Sequence, residues 1–268
     1  MSVSSSTAGR RYGGADPEER RARRRAALIE AGLEIFGTDG YATASVKNIC
    51  ALAGLTQRYF YESFGDRAEL LEAVYLDSVD FVRSATVAAA AEFLTPGPED
   101  RTTAIRSDPD RSDSEYGTSS PEMKGIAAEH VPSAARATLG AFMTCLAQDR
   151  RRARVMLVEV VGVSGKLERV RMHAIHGWAE LILNLARGTM TPSRGQRLTS
   201  VALVGAVTQL LVDWYIAGEE PGEEPAPPSH DPPDRDLNSG DLNSGNDIDD
   251  ILDVSVDLLI ASHARLVT

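Results

Sequence analysis

Aromatic residues and cysteines are scarce in this sequence. Phe, Trp and Tyr make up 6% of the 268 residues, and no segment alternates apolar and polar residues between turn dipeptides, so β-sheet is not expected. The two cysteines, Cys50 and Cys145, stand far apart in apolar helical patterns, which indicates reduced, buried thiols and a cytoplasmic location. Ala, Leu, Val and Arg dominate instead, so the predicted fold class is all-α.

The short motifs of catalysis and metal binding are also missing. The sequence contains no HExxH, no pair of CxxC motifs, no GxSxG and no dinucleotide-binding fingerprint. His173, His176 and Glu180 share one predicted helix, but no second cluster completes a set of metal ligands. We therefore expect a protein that is not an enzyme and that holds no cofactor and no metal.

Neither a leader nor a membrane anchor is predicted. No apolar stretch follows the arginines near the N-terminus, as a signal peptide requires. Residues 200–218 are long enough to span a membrane, but Gln209 and Asp213 interrupt them and no basic flank follows. A helix buried against protein is the better interpretation, and no membrane partner is expected.

The net charge of −11 is unevenly distributed along the chain. Residues 1–75 carry ten Lys and Arg against ten Asp and Glu, so the rest of the chain holds the entire acidic surplus. The first part also contains a basic cluster, formed by Arg20, Arg21, Arg23, Arg24 and Arg25. Because local charge decides binding, an acidic total does not exclude nucleic acid as a partner.

Three polar tracts divide the chain. Residues 1–17, 95–131 and 219–247 combine Pro, Ser, Gly and Asp with few large apolar residues, which predicts disorder. Helical periodicity runs through the segments between them. We predict a disordered arm, a helix-turn-helix domain over residues 18–66 and a second helical domain over residues 67–268.

The helix-turn-helix prediction depends on the stretch "AGLTQRYFYESFGDRAELL", residues 53–71. Ser45 stands where it can cap a short helix, Gly54 ends that helix, and Thr56 can cap the next one. Four rings follow in a segment too short to bury all of them. Phe60 and Phe64 are four residues apart and should pack inward, which leaves Tyr59 and Tyr61 facing outward.

A second helix of this kind presents its first turn to the major groove of DNA. Gln57 and Arg58 are the expected readers of base edges, and Lys47 suits phosphate oxygens. Tyr59 has two readings, since its ring can pack on a thymine methyl group or its hydroxyl can reach a phosphate. The predicted DNA-binding residues are Ser45, Lys47, Thr56, Gln57, Arg58, Tyr59, Tyr61 and Arg67.

Over roughly residues 20–75 the sequence resembles the TetR family of bacterial transcription regulators. The segments that carry the resemblance are "ALIEAGLEIFGTDGY", "ASVKNICALAGLTQ", the Y-x-x-F of Tyr61 and Phe64, and "DRAELL". The resemblance implies a homodimer, a three-helix N-terminal domain that binds double-stranded DNA, and a larger regulatory and dimerisation domain. It also implies repression at an inverted-repeat operator that a small-molecule effector relieves.

In such proteins the last two long helices form a four-helix bundle across the dimer axis. The resemblance therefore places the dimer interface on the apolar residues of those helices, Val204, Val207, Leu210, Leu211, Ile251 and Leu258. The predicted ligand pocket, whose effector the sequence leaves unknown, comprises Met143, Met156, Glu159, Met172, His176, Trp178 and Trp214. For Glu159, inside an apolar run, either a neighbouring arginine such as Arg152 or Arg171 or a polar ligand group is expected as partner.

Two functions thus stay open. The first is a ligand-responsive repressor that binds DNA. The second is a helical protein that binds a small molecule or a protein partner and whose helix-turn-helix no longer reads DNA. Gln57, Tyr61, Lys47 and the N-terminal arginine cluster favour the first function.

Overall fold

The computed structural model describes residues 16–94, 125–188, 190–218 and 247–268, and these residues form helices without strands. The all-α prediction is confirmed. The helices are α1 (Pro17–Thr38), α2 (Val46–Leu52), α3 (Gln57–Tyr61), α4 (Arg67–Leu94), α5 (Val131–Gln148), α6 (Arg150–Arg154), α7 (Gly165–Arg187), α8 (Arg194–Ala217) and α9 (Ile248–Val267). A 3-10 turn, Ala128–His130, precedes α5, and a π-helical turn, Val155–Glu159, follows α6. The predicted polar tracts lie mostly outside the described residues.

Local signals explain where several helices begin and end. The hydroxyl of Ser164 accepts a hydrogen bond from the backbone amide of Leu167 at 3.1 Å and so starts α7. Ser193 and Gln196 form a capping box at the start of α8, each bonding the backbone of the other. Gly54 ends α2 with a φ of 65°, a backbone conformation that residues with a side chain rarely adopt.

Helices α1 to α3 close on the first half of α4 around a filled core. Leu28, Phe36, Ile49 and Phe60 are fully buried in it. The core also takes in Val160 from beyond the π-helical turn, so the two predicted domains share one packed cluster. The N-terminal helices are therefore held directly against the larger domain.

The close approach of α1 to α6 depends on a glycine. A Cβ atom added to Gly37 would lie 2.3 Å from the Cβ of Arg151 and 2.6 Å from its Cα, both shorter than van der Waals contact. Arg151 also binds Glu34 of α1 at 2.5 Å and Asp149 at 2.9 Å. The charges and the missing side chain together fix α6 against the end of α1.

Helices α5, α7, α8 and α9 and the second half of α4 form the larger domain. Among the described helices, only α8 is long and apolar enough by length and composition to cross a membrane, and most of that segment is not buried within the chain. Its inner face packs on α7 and α9, while its outer face is exposed in the single chain. The prediction of a buried helix therefore holds for one face of α8.

Candidate nucleic-acid interface and internal cavity

The four rings of the helix-turn-helix divide as the spacing predicts. Phe60 and Phe64 are buried, with ring centroids 5.9 Å apart, and they pack in the core of α1 to α4. Tyr59 and Tyr61 are exposed, Tyr61 by 60%. Phe60 and Phe64 therefore anchor α3 in the core, and Tyr59 and Tyr61 are available for contact with a binding partner.

The predicted polar readers are exposed or half-buried at the starts of α2 and α3. The hydroxyl of Ser45 accepts a hydrogen bond from the amide of Asn48 at 3.1 Å, as a helix cap does, and Lys47 is exposed beside it. Thr56 occupies the cap position of α3, but its hydroxyl makes no capping hydrogen bond. Gln57 in the first turn of α3 is exposed as well. The arrangement offers hydroxyl, amide and ammonium donors to phosphates and bases.

Two arginine contacts bear on the orientation of the readers. Arg58 pairs with Glu62 one turn later at 3.0 Å, and 84% of its side chain is exposed. An exposed ion pair of this kind is weak, so Arg58 can leave Glu62 and bind a base edge instead. Arg24 of α1 lies with its guanidinium 4.6 Å above the ring of Tyr59. Arg24 was not among the predicted readers, although the arginine cluster that contains it was visible in the sequence.

The structure corrects the expected role of Arg67. Its guanidinium donates to the carbonyl oxygen of Tyr41 at 3.2 Å and to that of Ala44, and it lies 5.0 Å from the centroid of the Tyr41 ring. The charge is thus used to hold the turn between α1 and α2. Arg67 positions the helix-turn-helix instead of presenting a free cation to DNA.

The larger domain encloses an apolar cavity of about 160 Å³. Helices α4, α5, α7, α8 and α9 contribute to its wall, together with Met156 and Leu157 of the π-helical turn. Trp178 lines it from α7 and meets Phe142 of α5 edge to face, with 5.1 Å between ring centroids. A mostly apolar cavity with few polar groups is the usual form of a small-molecule site.

The predicted pocket is only partly right. Met156 and Trp178 line the cavity, whereas Met143 is packed in the solid core and Trp214 lies beneath the guanidinium of Arg150 at 5.2 Å. Met172 and His176 are exposed on the outer side of α7. The residues that α7 does turn to the cavity follow helical spacing, Ile175, Trp178, Ile182 and Leu185. Of the three residues predicted on this helix, Trp178 was placed correctly, whereas Met172 and His176 lie on the opposite side.

Glu159 is removed from the cavity and joins the two domains. It binds Arg154 at 2.8 Å and accepts a hydrogen bond from the amide of Tyr41 at 2.7 Å. Arg154 also donates to the carbonyl of Thr38 at 2.6 Å. The partner is thus an arginine, as the first alternative expected, but neither Arg152 nor Arg171. The cavity wall at Met156 and Leu157 lies three and two residues before this link.

The predicted dimer residues face inward. Val204, Val207 and Leu211 line the cavity, and Ile251 is buried in the neighbouring core. Leu210 and Leu258 are half-buried against neighbouring helices of the same chain. The outer face of α8 is formed by other residues at helical spacing, namely Leu198, Ala202, Gly205, Gln209 and Ile216. Helix α9, which packs on α8, exposes Val254 and Ile260.

The fold and the exposed second helix define a helix-turn-helix regulatory protein. Residues 28–74 match the family described as "Bacterial regulatory proteins, tetR family". This match confirms the TetR resemblance for the helix-turn-helix part of the chain. Members of this family bind DNA and small-molecule effectors, typically as dimers.

Solved structures share the fold over most of the chain. The fatty acid degradation regulator FadR from Bacillus halodurans is 15% identical with a TM-score of 0.53, covering 88% of this chain and 94% of that one. FadR from Bacillus subtilis in complex with stearoyl-CoA is 12% identical with a TM-score of 0.53, covering 88% and 97%. The multidrug binding protein EbrR complexed with imidazole is 15% identical with a TM-score of 0.51, covering 88% and 94%. No curated protein sequence matches the chain.

Proposed function

We propose that the chain is a ligand-responsive repressor that binds an inverted-repeat operator as a homodimer. The observation that carries this proposal is the first turn of α3, which is polar and exposed while Phe60 and Phe64 fasten the helix from behind. Residues that read bases must be held in a fixed position, because ordering a mobile helix on binding costs entropy and weakens the affinity for DNA. Gln57 and Arg58 then read base edges, and Lys47 neutralises a phosphate.

The response to a ligand is supported by the link between cavity and platform. Met156 and Leu157 line the cavity, and Glu159 in the same π-helical turn binds the amide of Tyr41, just before α2. A guest that displaces this turn therefore changes the support of the helix-turn-helix. FadR with stearoyl-CoA and EbrR with imidazole are proteins of the same fold that were solved with small molecules, which favours the same use of the cavity here.

The homodimer is assigned to the outer face of α8 together with α9. Leu198 is 60% exposed and Ile216 is 50% exposed, and a helix stripe that is apolar except for Gln209 favours burial against another copy. Gly205 lies in the middle of the stripe with open space around its Cβ position, which permits close approach of a second helix. This stripe replaces the inward-facing residues that the sequence suggested.

Selection from a random DNA pool tests the proposal. The wild type should enrich an inverted repeat, because two recognition helices related by a two-fold axis meet two half-sites. Gln57→Ala and Arg58→Ala should each lose ~1–3 kcal/mol of discrimination at one or two positions. Lys47→Ala should weaken all sequences alike and reduce the salt slope by about one.

The outcome also separates the two functions. If the wild type enriches no sequence, the helix-turn-helix does not read DNA and the protein is a binding module of the second kind. If Arg58→Ala enriches the same repeat with undiminished preference, Arg58 is not a reader.

A further inference from the structure

Two polar groups in the cavity have no partner within the described chain. Ser255 of α9 is 1% exposed, and its hydroxyl oxygen is buried without a hydrogen bond. The Nε2 atom of His263, on the same helix, is also buried and unpartnered. Both residues line the cavity. Buried polar atoms without partners are costly and rare, so these two are suited to a guest that supplies the missing bonds.

Two arginines lie in or next to the cavity wall, and they differ in their partners. At one end Arg171 is held by Glu168 through two hydrogen bonds of 2.6 and 3.1 Å, so its charge is compensated. Arg187, which does not line the cavity itself, follows the lining residue Ala186, donates to the carbonyl of the lining residue Leu266 at 3.4 Å, and has a buried Nε atom without a partner. No carboxylate of the described residues lies within ion-pair distance of Arg187. Leu266 and His263 both line the cavity and are three residues apart on α9, so Arg187 lies beside the same end of the cavity as that imidazole.

The cavity is elongated along α7. Its wall on α7 extends from Arg171 to Ala186, sixteen residues whose ends are about 22 Å apart at the helical rise. A lining that is mostly aliphatic along this length suits one extended chain. Ser255 and His263 are eight residues apart on α9, or about 12 Å along its axis. The Ser255 hydroxyl and the His263 imidazole can therefore form hydrogen bonds with different points of one extended ligand.

We infer that the cavity binds a single-chain aliphatic acid that carries a second oxygen function. Its carboxylate lies at His263, near the charge of Arg187, and its second oxygen lies at Ser255, about 12 Å further along the chain. This inference rests on the proposed function, since it names the chemical class of the effector. The apolar wall between the two points takes the methylene groups.

Three probes of equal chain length test the inference by titration calorimetry on the full-length protein without DNA. They are decanol, decanoate and ω-hydroxydecanoate, whose terminal oxygens are separated by roughly the spacing of the two unpartnered groups. Decanoate should bind about tenfold more tightly than decanol, because its carboxylate meets charge-assisted donors. The ω-hydroxy acid should bind a few-fold more tightly again, through one further hydrogen bond.

Each difference is assigned to one residue by a variant. His263→Leu should abolish the preference for acid over alcohol, and Ser255→Ala should abolish the preference for the hydroxylated acid. Both variants should still bind decanol, which shows that the cavity has formed. Arg187→Gln should reduce acid binding, while Arg169→Gln, an exposed arginine on the same helix, should not.

The inference is overturned if none of the probes binds, if decanol binds as tightly as decanoate, or if the variants leave the ratios unchanged. These outcomes do not touch the proposed function, because selection of an operator is measured without any probe. Conversely, if the protein selects no operator but shows the expected ratios of affinity for the three probes, the ligand class is supported and the role as a repressor is not.

Discussion

The two halves of this protein use the same kind of element for opposite purposes. Helices α1 to α3 close on a solid core, in which Leu28, Phe36, Ile49 and Phe60 are fully buried. Helices α5 and α7 to α9 instead surround an apolar cavity whose wall includes unpartnered polar atoms. Protein interiors are normally filled, and empty space lowers stability. The comparison therefore points to a rigid platform for DNA in one half and to room for a guest in the other.

The halves meet at residues that belong to both. Tyr75 of α4 packs in the N-terminal core and also lines the cavity. The π-helical turn contributes Met156 to the cavity wall and Glu159 to the turn before α2. A structural change in the half that contains the cavity can therefore be transmitted to the N-terminal half through Tyr75 and through the π-helical turn, which both halves share.

The largest expected effect is on stability, when a large side chain is removed from the solid core of α1 to α4. Phe60→Ala should lower the free energy of unfolding by ~3–5 kcal/mol, because it leaves a void that the surrounding core cannot refill. Phe142→Ala, a matched change in the cavity wall, should cost about half as much, since that ring already borders empty space. Urea unfolding of both variants measures the difference. Equal losses would show that the two halves are packed alike.

The next effect concerns the two faces of α8. Gly205→Arg should raise the dissociation constant of the dimer by about 100-fold, which corresponds to ~2.7 kcal/mol, because a large charged side chain enters the proposed interface. The fold of one chain should be unaffected, since no atom lies within 4 Å of the added Cβ. Sedimentation equilibrium measures the dissociation. Ala88→Arg, on the exposed side of α4, is the control, and an unchanged dimer would place the interface elsewhere.

A third prediction uses the residue shared by both halves. Burial raises the pKa of Tyr75 to about 12, against ~10 for an exposed tyrosine. Because the folded state holds the proton more tightly, the stabilisation is complete below pH ~10 and is lost as the pH rises towards 12. The expected loss is ~2–3 kcal/mol in the free energy of unfolding. Denaturation at a series of alkaline pH values should show this slope in the wild type, and Tyr75→Phe should lack it.

The smallest effect is expected at the link between the halves. Glu159→Gln keeps the size of the side chain but removes the charge that holds Arg154, at a cost of ~1–2 kcal/mol. The variant should still select the operator, but the ligand concentration that releases DNA should change. A mobility-shift titration with ligand measures this. Glu129→Gln, exposed and far along the chain, is the control, and a release midpoint equal to that of the wild type would show that the signal takes another route.

Sequence reasoning succeeded where structure is decided by near neighbours. The cap at Ser45, the stop at Gly54 and the opposed rings of α3 each depend on residues within a few positions of one another. It failed at α8, which is apolar on nearly every side. Periodicity locates such a helix but cannot say which side turns inward, so Val204 and Val207 were assigned to the dimer although they line the cavity.

The sequence by itself determined the helices, their order and the face of α3 that is free to meet DNA, because hydrogen bonds and apolar spacing within a few residues specify them. Only the tertiary structure decided the partner of Glu159, the internal use of Arg67 and the site of the cavity. Apart from the ion pair of Glu159 with Arg154, those features join residues more than twenty positions apart, as in the bonds from Glu159 to Tyr41 and from Arg67 to Ala44. Contacts of that range depend on how whole helices pack, and no short pattern in the chain encodes them.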